Sequence, residues 1–422
     1  MVGYGLSVWT LEHIWRIWMG HGIISLPFKK NVVTHSTIPD QDRERSPGTV
    51  LQVLPNLNGG GVERGTVEMA SAMKAAGWKS VVVSAGGTMV YELEKLGVPH
   101  ITLPVASKNP LVMRRNVKRL MKVIEEYDVN IVHARSRAPA WSAMAAARKA
   151  GVHFVTTFHA AYTRGGFFKN TYNSVMARGE KVIAISDFIA RHIAENYTID
   201  ADRIVTIPRG VDSRKFNPAA VSAERIIKMA SDWRLPDGVS VVMLPGRLTR
   251  LKGHVMLIRA LAAMQNKNVL ALFVGAGEGR EAYRTELNEL VKSLHLEGKV
   301  QIKDYCSDMP AALMLADVVV SATQVPEGFG RVSVEAQAMG RPVIATAHGG
   351  SLETVLDGET GWLVPVTDET ALAEALDLAL GMTSSEREIV AARTRQHVVE
   401  NFTIEKMCQS TLAVYQDLLT GE

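Results

Sequence analysis

The chain is poor in cysteine and has little net charge, and each shortage excludes a class of protein. Two cysteines, Cys306 and Cys408, stand far apart among 422 residues, so neither a disulfide framework nor a structural zinc site is expected. A formal net charge of +4 is small for this length, whereas a nucleic-acid binder would show a concentrated basic face. We therefore expect a reducing, cytoplasmic setting and no nucleic-acid partner.

Long uninterrupted apolar runs are missing at the start of the chain, where tryptophans are unusually frequent. Charged residues interrupt the apolar stretch over 6–19, so it makes a poor membrane span, and it lacks the features of a secretory signal. Its apolar face, with Lys29 and Lys30 downstream, could lie in a membrane interface. A disordered extension and a mis-assigned start codon are the alternatives that stay open for residues 1–48.

From Thr49 onward, short buried-strand runs alternate with stretches of helical periodicity, which indicates parallel sheets covered by helices. A polar, proline-containing stretch interrupts this pattern, and the pattern then restarts at 239. The length suits two domains. We expect an extension over 1–48, a first doubly wound α/β domain over 49–215, a linker with an internal helix over 216–238, a second such domain over 239–396, and a closing segment over 397–422 whose helix spans 397–419.

The strongest group of candidate residues lies in the segment 326–346. Glu327, Phe329 and Gly330 follow an expected strand, and a helix carrying Glu335 opens directly after them. Unpaired N–H groups at a helix start favour phosphate, and Gly330 allows a ligand to approach the backbone. Two carboxylates that flank this anion site can accept hydrogen bonds from sugar hydroxyls.

A second group follows another expected strand, in the segment 246–254. Arg247 offers a fork of N–H donors to phosphate oxygens, and Lys252 offers a point charge. In open parallel sheets, ligands bind outside the carboxyl ends of the strands. Both groups are therefore expected at the ligand-binding edge, where Arg247 and Lys252 together can neutralise a departing diphosphate.

Three motifs carry a resemblance to a known family. They are E-x-F-G-x-x-x-x-E from Glu327 to Glu335, G-R-x-x-x-x-K-G from Gly246 to Gly253, and an amino-terminal G-G-V-E at 60–63. Over about residues 49–418 the chain resembles the retaining nucleotide-sugar glycosyltransferases of the GT-B fold, glycosyltransferase family 4, of the bacterial lipopolysaccharide and exopolysaccharide type. This resemblance implies two Rossmann-like domains that face a cleft, and a closing helix that crosses back to the first domain.

The resemblance also implies a role for each matching position. Glu327 and His159 would contact the transferred hexose, and Arg247 and Lys252 would stabilise the diphosphate leaving group. The remaining implied substrate-binding positions are Gly60 and Gly61 toward the phosphates, the backbone at Phe329 and Gly330 beside the hexose, and Glu335 at the ribose.

In the family that the chain resembles, the new bond keeps the anomeric configuration and no covalent nucleophile is required. Since Arg247 and Lys252 would replace a metal ion, we expect no metal and no cofactor. The implied partners are a nucleotide diphosphate sugar as donor and a glycan or lipid-linked acceptor. The implied place of action is the cytoplasm, with peripheral association at the inner face of the cytoplasmic membrane.

Five basic residues are expected to cluster in loops of the first domain, and they fit either an anionic acceptor or solvated charges. They are His133, Arg135, Arg137, Arg164 and Lys169. Arg209, in I-P-R-G-V-D, stands where the family often has asparagine, and none of the roles above depends on it.

Other functions fit the same architecture, because paired doubly wound domains are shared by many enzymes. They are a dinucleotide-dependent oxidoreductase, a nucleotide-sugar epimerase on the same fold, and a non-catalytic sugar-nucleotide-binding protein. The first lacks a clean G-x-G-x-x-G that opens a first helix, and the last is disfavoured by intact Glu327, Glu335, Arg247 and Lys252.

Overall fold

The computed structural model describes residues 46–421 except for positions 164, 276 and 278. The expected amino-terminal extension lies outside the described residues apart from its last positions. The described residues form two parallel sheets, one of seven strands and one of six, as the strand and helix alternation predicts.

The first sheet has the strand order β3-β2-β1-β4-β5-β6-β7. Its strands are β1 (Thr49–Val53), β2 (Lys79–Ser84), β3 (His100–Thr102), β4 (Ile131–Ala134), β5 (His153–Phe158), β6 (Lys181–Ala184) and β7 (Ile204–Thr206). Its helices are α1 (Gly61–Ala75), α2 (Val90–Lys95), α3 (Pro110–Glu126), α4 (Arg137–Ala150), α5 (Phe167–Ser174) and α6 (Asp187–Asn196).

The second sheet has the order β10-β9-β8-β11-β12-β13. Its strands are β8 (Ser240–Pro245), β9 (Val269–Val274), β10 (Val300–Lys303), β11 (Val318–Ser321), β12 (Val343–Thr346) and β13 (Gly361–Val364). The helices of this half are α7 (Ala223–Trp233), α8 (His254–Ala263), α9 (Glu281–Ser293), α10 (Met309–Leu315), α11 (Arg331–Ala338), α12 (Ser351–Thr354), α13 (Glu369–Gly381), α14 (Ser384–Asn401) and α15 (Ile404–Thr420).

The central strands are mostly apolar because helices cover both faces of each sheet. All five residues of β1 and all six of β9 are buried. The strand order reverses between β1 and β4 in the first sheet and between β8 and β11 in the second. Ligands bind at such switch points, so the loops after these strands position the site.

The helix expected inside the linker is α7, and it packs on the second half of the chain. The Arg225 guanidinium donates to both carboxylate oxygens of Asp308, at 2.8 and 2.7 Å. Since Asp308 caps α10, this pair attaches α7 to a helix of the second sheet.

The closing helix was expected over 397–419, and that span is wrong because the chain breaks at Phe402 and Thr403. Residues up to Asn401 belong to α14, and Thr403 caps α15 with its hydroxyl. At the break, Val211 donates its N–H to the Phe402 carbonyl at 2.8 Å and accepts from Ile404 at 3.1 Å. This pairing with the end of the first half ends α14 and turns α15 back onto α1, so the predicted crossing to the first domain is confirmed.

Tyr415 shows how deeply α15 enters the first domain. Its side chain is fully buried, and its hydroxyl lies 2.6 Å from Nδ1 of His133 on β4. Its ring also packs at 6.0 Å from that of Trp78. The closing helix therefore completes the core of the first domain.

Within the described ranges, none of the helices combines the length and the apolar content that crossing a bilayer requires.

Candidate active site

The loop after β8 and the loop after β11 are joined into one unit. Gly253 has a left-handed φ of 75°, and a Cβ at this position would collide with the Ala322 carbonyl oxygen. Next to it, the Gln324 N–H donates to the Leu251 carbonyl at 2.8 Å. The last glycine of G-R-x-x-x-x-K-G is therefore required by the close approach of the E-x-F-G loop.

Lys252 and Glu327 meet where these loops join. The Lys252 ammonium contacts Oε1 of Glu327, and the two side chains are 25% and 21% exposed. The Glu327 backbone carbonyl accepts from the Gly350 N–H at 2.9 Å, so the carboxylate stands on a supported turn. Arg247 is exposed at the start of the same β8 loop. The structure thus brings a cation and a carboxylate from two predicted motifs into contact.

Helix α11 begins directly after the left-handed Gly330. The Phe329 side chain is buried and packs edge-on against Phe402, with ring centroids 5.4 Å apart. The Arg331 guanidinium donates to Oε1 of Glu335 at 2.8 Å. Burial raises the pKa of Glu335, and the Arg331 charge opposes that rise. Phe329 therefore anchors the loop in the core through Phe402. The Glu335 carboxylate is held in place by Arg331 on the same helix.

The glycine loop faces α11 from the first domain. Gly60 is exposed at the start of α1, and a Cβ on Gly61 would lie 3.5 Å from Nη1 of Arg331. The glycine loop and the E-x-F-G helix therefore meet across the cleft, as the resemblance implies for the two sides of a donor phosphate.

His159 follows β5 and reaches the same place. A Cβ on Gly328 would lie 3.0 Å from the His159 carbonyl oxygen, so the His159 backbone lies against the E-x-F-G loop. Nε2 of His159 is buried without a hydrogen-bond partner among the described residues. Burial, and then the Arg209 charge, hold the pKa of His159 well below its usual range. The imidazole is therefore neutral at pH 7, and its contact with a sugar hydroxyl stays a prediction.

Two polar contacts that the sequence analysis did not predict connect the domains beside this point. The Ser186 hydroxyl donates to the Gly328 carbonyl at 2.6 Å. The Glu353 carboxylate accepts the N–H groups of Asp187 and Phe188, at 2.8 and 2.6 Å, in the first turn of α6. The sequence signals a helix start at Ser186, but no local pattern indicates that a carboxylate from α12 caps it.

The interpretation of His133 as a loop residue is wrong, whereas Arg135 does follow β4 in a loop but is buried. His133 lies on β4, where its ring nitrogens bond to the hydroxyls of Tyr415 and Thr157 at 2.6 and 2.7 Å. The buried Arg135 donates to Oε1 of Gln52 at 2.9 Å. Both side chains are used inside the first domain, because the strand is covered on this face by α15.

The remaining members of that basic group lie elsewhere. The Arg137 guanidinium stacks over the Tyr162 ring at 4.1 Å and donates to Asn173 at 2.8 Å. The exposed Lys169 donates to the Thr163 hydroxyl at 2.8 Å. Position 164 is outside the described residues. The expected five-residue cluster therefore does not form a single site.

Arg209 was assigned no role from the sequence, yet it lies against the glycine loop. It is 4% exposed, and its guanidinium donates to the Gly61 carbonyl at 2.5 Å. The only signal in the sequence was that arginine stands where asparagine is frequent in the family.

Two parallel-sheet domains whose carboxyl ends face each other, with a last helix that returns to the first domain, form the architecture of the GT-B class. A family model described as Glycosyltransferase Family 4 matches residues 59–215, and one described as Glycosyl transferases group 1 matches residues 226–397. The chain belongs to glycosyltransferase family 4, which confirms the resemblance of the motifs. The roles of the individual residues stay predictions.

Similar proteins include two whose crystal structures have the same fold. A crystal structure of a glycosyltransferase from Rickettsia africae shares 38% identity and a TM-score of 0.84, and the match covers 89% of this chain and 99% of that one. EpsD of Bacillus subtilis, which carries a glycosyltransferase name, is 28% identical over 366 residues, which are 83% of this chain and 92% of EpsD. HepE of Anabaena, crystallised with UDP-glucose, is 23% identical with a TM-score of 0.75, over 87% of this chain and all of HepE.

Proposed function

We propose that this glycosyltransferase moves a hexose from a nucleotide diphosphate sugar to a glycan or lipid-linked acceptor, with retention of the anomeric configuration, in bacterial cell-surface polysaccharide synthesis. The observation that carries the proposal is the contact between Lys252 and Glu327 opposite the glycine loop. It supports the proposal because a cation suited to a diphosphate and a carboxylate suited to sugar hydroxyls are in direct contact. UDP-glucose, present in the HepE crystals, is the first donor to test.

In this proposal the diphosphate lies between the two domains. Arg247 and Lys252 bind its oxygens from the β8 loop, and the N–H groups of Gly60 and Gly61 approach from the first domain. Charge that develops on the leaving oxygen is stabilised by groups that are already in place. Lys252 pairs with Glu327, and in this proposal the diphosphate is a second anionic partner for its charge.

The sugar and the ribose use the carboxylates. Glu327 accepts hydrogen bonds from hexose hydroxyls, and Nε2 of His159 bonds to another hydroxyl from the opposite domain. Glu335 binds the ribose hydroxyls at α11. Rigid orientation by these groups provides much of the rate enhancement of such a reaction.

The reaction itself needs no covalent intermediate. The bond between the anomeric carbon and the β-phosphate oxygen breaks, and the acceptor hydroxyl attacks the same face of the oxocarbenium-like sugar. The hydroxyl proton passes to the departing phosphate oxygen, which balances the step. Arg247 and Lys252 supply the positive charge, so metal independence is part of the proposal.

A lipid-linked acceptor places the enzyme at the cytoplasmic face of the membrane, and the surface of α3 supports this location. Residues 110–124 of this helix include several cations and no acidic residue. The exposed ones are Arg114, Arg115, Lys118, Arg119 and Lys122. Each lysine or arginine near an anionic bilayer contributes about 1 kcal/mol of binding free energy.

Two exposed apolar side chains accompany these cations. Leu111, at the start of α3, is 68% exposed, and Phe168, on α5, is 87% exposed. Helices α3 and α5 both pack against α4. The Ser142 hydroxyl of α4 donates to the Met113 carbonyl of α3 at 3.1 Å, and the Trp141 indole N–H donates to the Tyr172 carbonyl of α5 at 3.1 Å. Since α5 closes the loop that begins at His159, a membrane at this surface would present its lipids near the cleft.

The test is transfer of labelled glucose from UDP-glucose, and then from GDP-, ADP- and dTDP-sugars, to a bacterial lipid extract. We expect label in the lipid fraction with and without EDTA, and an α-linked product from an α-linked donor by NMR. Epimerised or released sugar without an acceptor would favour the epimerase alternative. An inverted product would overturn retention.

A further inference from the structure

Arg209 and Gly65 are fitted to each other beneath the glycine loop. A Cβ on Gly65 would lie 2.7 Å from Cζ of Arg209 and closer still to both terminal nitrogens. Gly65 is buried in the second turn of α1, where alanine is normally the better helix former. The glycine therefore leaves the space that the buried guanidinium fills.

The guanidinium uses this space to hold the loop. It donates to the Gly61 carbonyl at 2.5 Å, and Gly61 in turn lies against Arg331 of the opposite domain. The segment that carries Arg209 is itself fixed, because Val211 pairs with Phe402 and Ile404 at the joint before α15. The loop is thus tied to a rigid part of the fold.

The charge of Arg209 is poorly compensated. Glu68 is its acidic neighbour, while Arg135 and Arg331 are like charges, and burial lowers its pKa to about 10. The group stays protonated at pH 7 despite this cost. A buried cation behind backbone N–H groups raises the potential at the point where an anion would approach them.

We propose that Arg209 is a positioning residue for the donor diphosphate: it fixes the glycine loop at Gly61 in the place where Gly60 and Gly61 meet the phosphates, and Gly65 is required to admit it. This inference rests on the proposed function, since it takes the ligand of the loop to be a nucleotide diphosphate.

The chain offers a matched control on the same strand. Arg203 precedes β7 and donates to the carbonyl of a glycine, Gly179, just as Arg209 follows β7 and donates to Gly61. Strand ends alternate between the two edges of the sheet, so Arg203 lies at the edge away from the cleft. Arg203→Asn removes an equivalent bond without touching the loop.

The first measurement is amide hydrogen exchange of residues 58–64 in the full chain. Arg209→Asn and Gly65→Ala should each speed exchange there at least tenfold, because an opened loop exposes its amides, and Arg203→Asn should not. Unchanged protection in both cleft variants would overturn the proposal.

The second measurement is UDP affinity by calorimetry. Loss of a hydrogen bond from a charged donor should weaken binding roughly 10- to 100-fold in Arg209→Asn, with partial recovery in Arg209→Lys. Gly65→Ala should weaken UDP binding to a similar extent. The double variant Gly65→Ala/Arg209→Asn should bind UDP no more weakly than Gly65→Ala alone. Equal affinity in wild type and Arg209→Asn would overturn this inference alone. Absence of binding of any nucleoside diphosphate by the wild type would overturn the proposed function and this inference with it.

Discussion

The Lys252 ammonium contacts the Glu327 carboxylate directly, and the pair joins two loops that follow the neighbouring strands β8 and β11. Each residue is partly buried, so the pair is screened less than an ion pair on the open surface. The loops around it are locked by Gly253 and by the bond from Gln324 to Leu251. The geometry of this pair is therefore set by the backbone before a donor arrives.

Replacing either member of this pair should remove most turnover and leave the fold intact. We expect Lys252→Ala and Glu327→Ala each to lower kcat roughly 100- to 1,000-fold, as loss of one preorganised electrostatic group does. The control is Arg250→Ala. Arg250 lies two positions before Lys252, is more exposed, and pairs with Glu286. Steady-state kinetics with UDP-glucose and a melting curve for each variant make the comparison. Near-normal kcat in Glu327→Ala would contradict the assigned role.

The Glu353 carboxylate should stabilise the arrangement of the two domains that the structure shows. It accepts two N–H groups in the first turn of α6 across the cleft, so Glu353→Ala should favour opening and lower kcat/KM roughly tenfold. X-ray scattering should show a larger radius of gyration for this variant. The matched control is Glu359→Ala, whose carboxylate lies 4.0 Å from Arg393 and is 60% exposed. A variant at position 353 with wild-type scattering and kinetics would refute the contact's role.

His254 should make the protein less stable in mild acid. Burial lowers its pKa to about 4 in the folded state, below the ordinary value near 6.5 in an unfolded chain. Between these values the unfolded chain binds the extra proton, so the free energy of unfolding falls as pH drops from 6.5 toward 4, by about 1.4 kcal/mol per pH unit.

The measurement is the urea midpoint between pH 7 and pH 5. His254→Leu removes this proton uptake, so its midpoint should decline less steeply than that of the wild type. The exposed His295 gives the control variant, His295→Asn, which should keep the wild-type slope. Identical slopes in all three proteins would disprove the contribution of His254.

Membrane binding should depend on the basic face of α3. Arg115→Gln, Lys118→Gln and Lys122→Gln together should weaken binding to phosphatidylglycerol vesicles roughly 100-fold, at about 1 kcal/mol per charge. Phe168→Ser should weaken it further, since the ring is exposed. Vesicle cosedimentation at two salt concentrations measures both effects.

The control removes the same number of charges elsewhere. Lys79, Lys228 and Lys292 are exposed lysines outside α3 and its neighbour α4, and their replacement by glutamine should leave cosedimentation unchanged. Equal loss in both triple variants would show that the net charge, and not this surface, governs binding.

The strands and helices that are formed by strongly apolar stretches could be predicted from the sequence. The strands of both sheets, apart from the short β3, coincide with short apolar runs of the sequence. The short β3 and the polar α14 were missed, because neither has a strong apolar pattern of its own. The break before α15 could not be predicted either, since it depends on pairing with Val211.

The candidate site divides in the same way. Motif spacing identified Lys252, Glu327 and Glu335. All three follow neighbouring strands of the second sheet, so the sheet topology brings their loops together. Arg209 and Glu353 were missed because their partners are more than 140 residues away in the chain. His133 was misplaced for the same reason: its partner, Tyr415, arrives with α15.

The return of α15 to the first domain has a consequence during synthesis. The strands up to β7 emerge from the ribosome first, but the site that Tyr415 occupies in their core cannot be filled until the last helix is made. About 200 residues separate the two, roughly 10–40 s at 5–20 residues per second. The domain translated first is therefore completed last, and a nascent chain that stalls before α15 would expose an unfinished apolar core to chaperones and proteases.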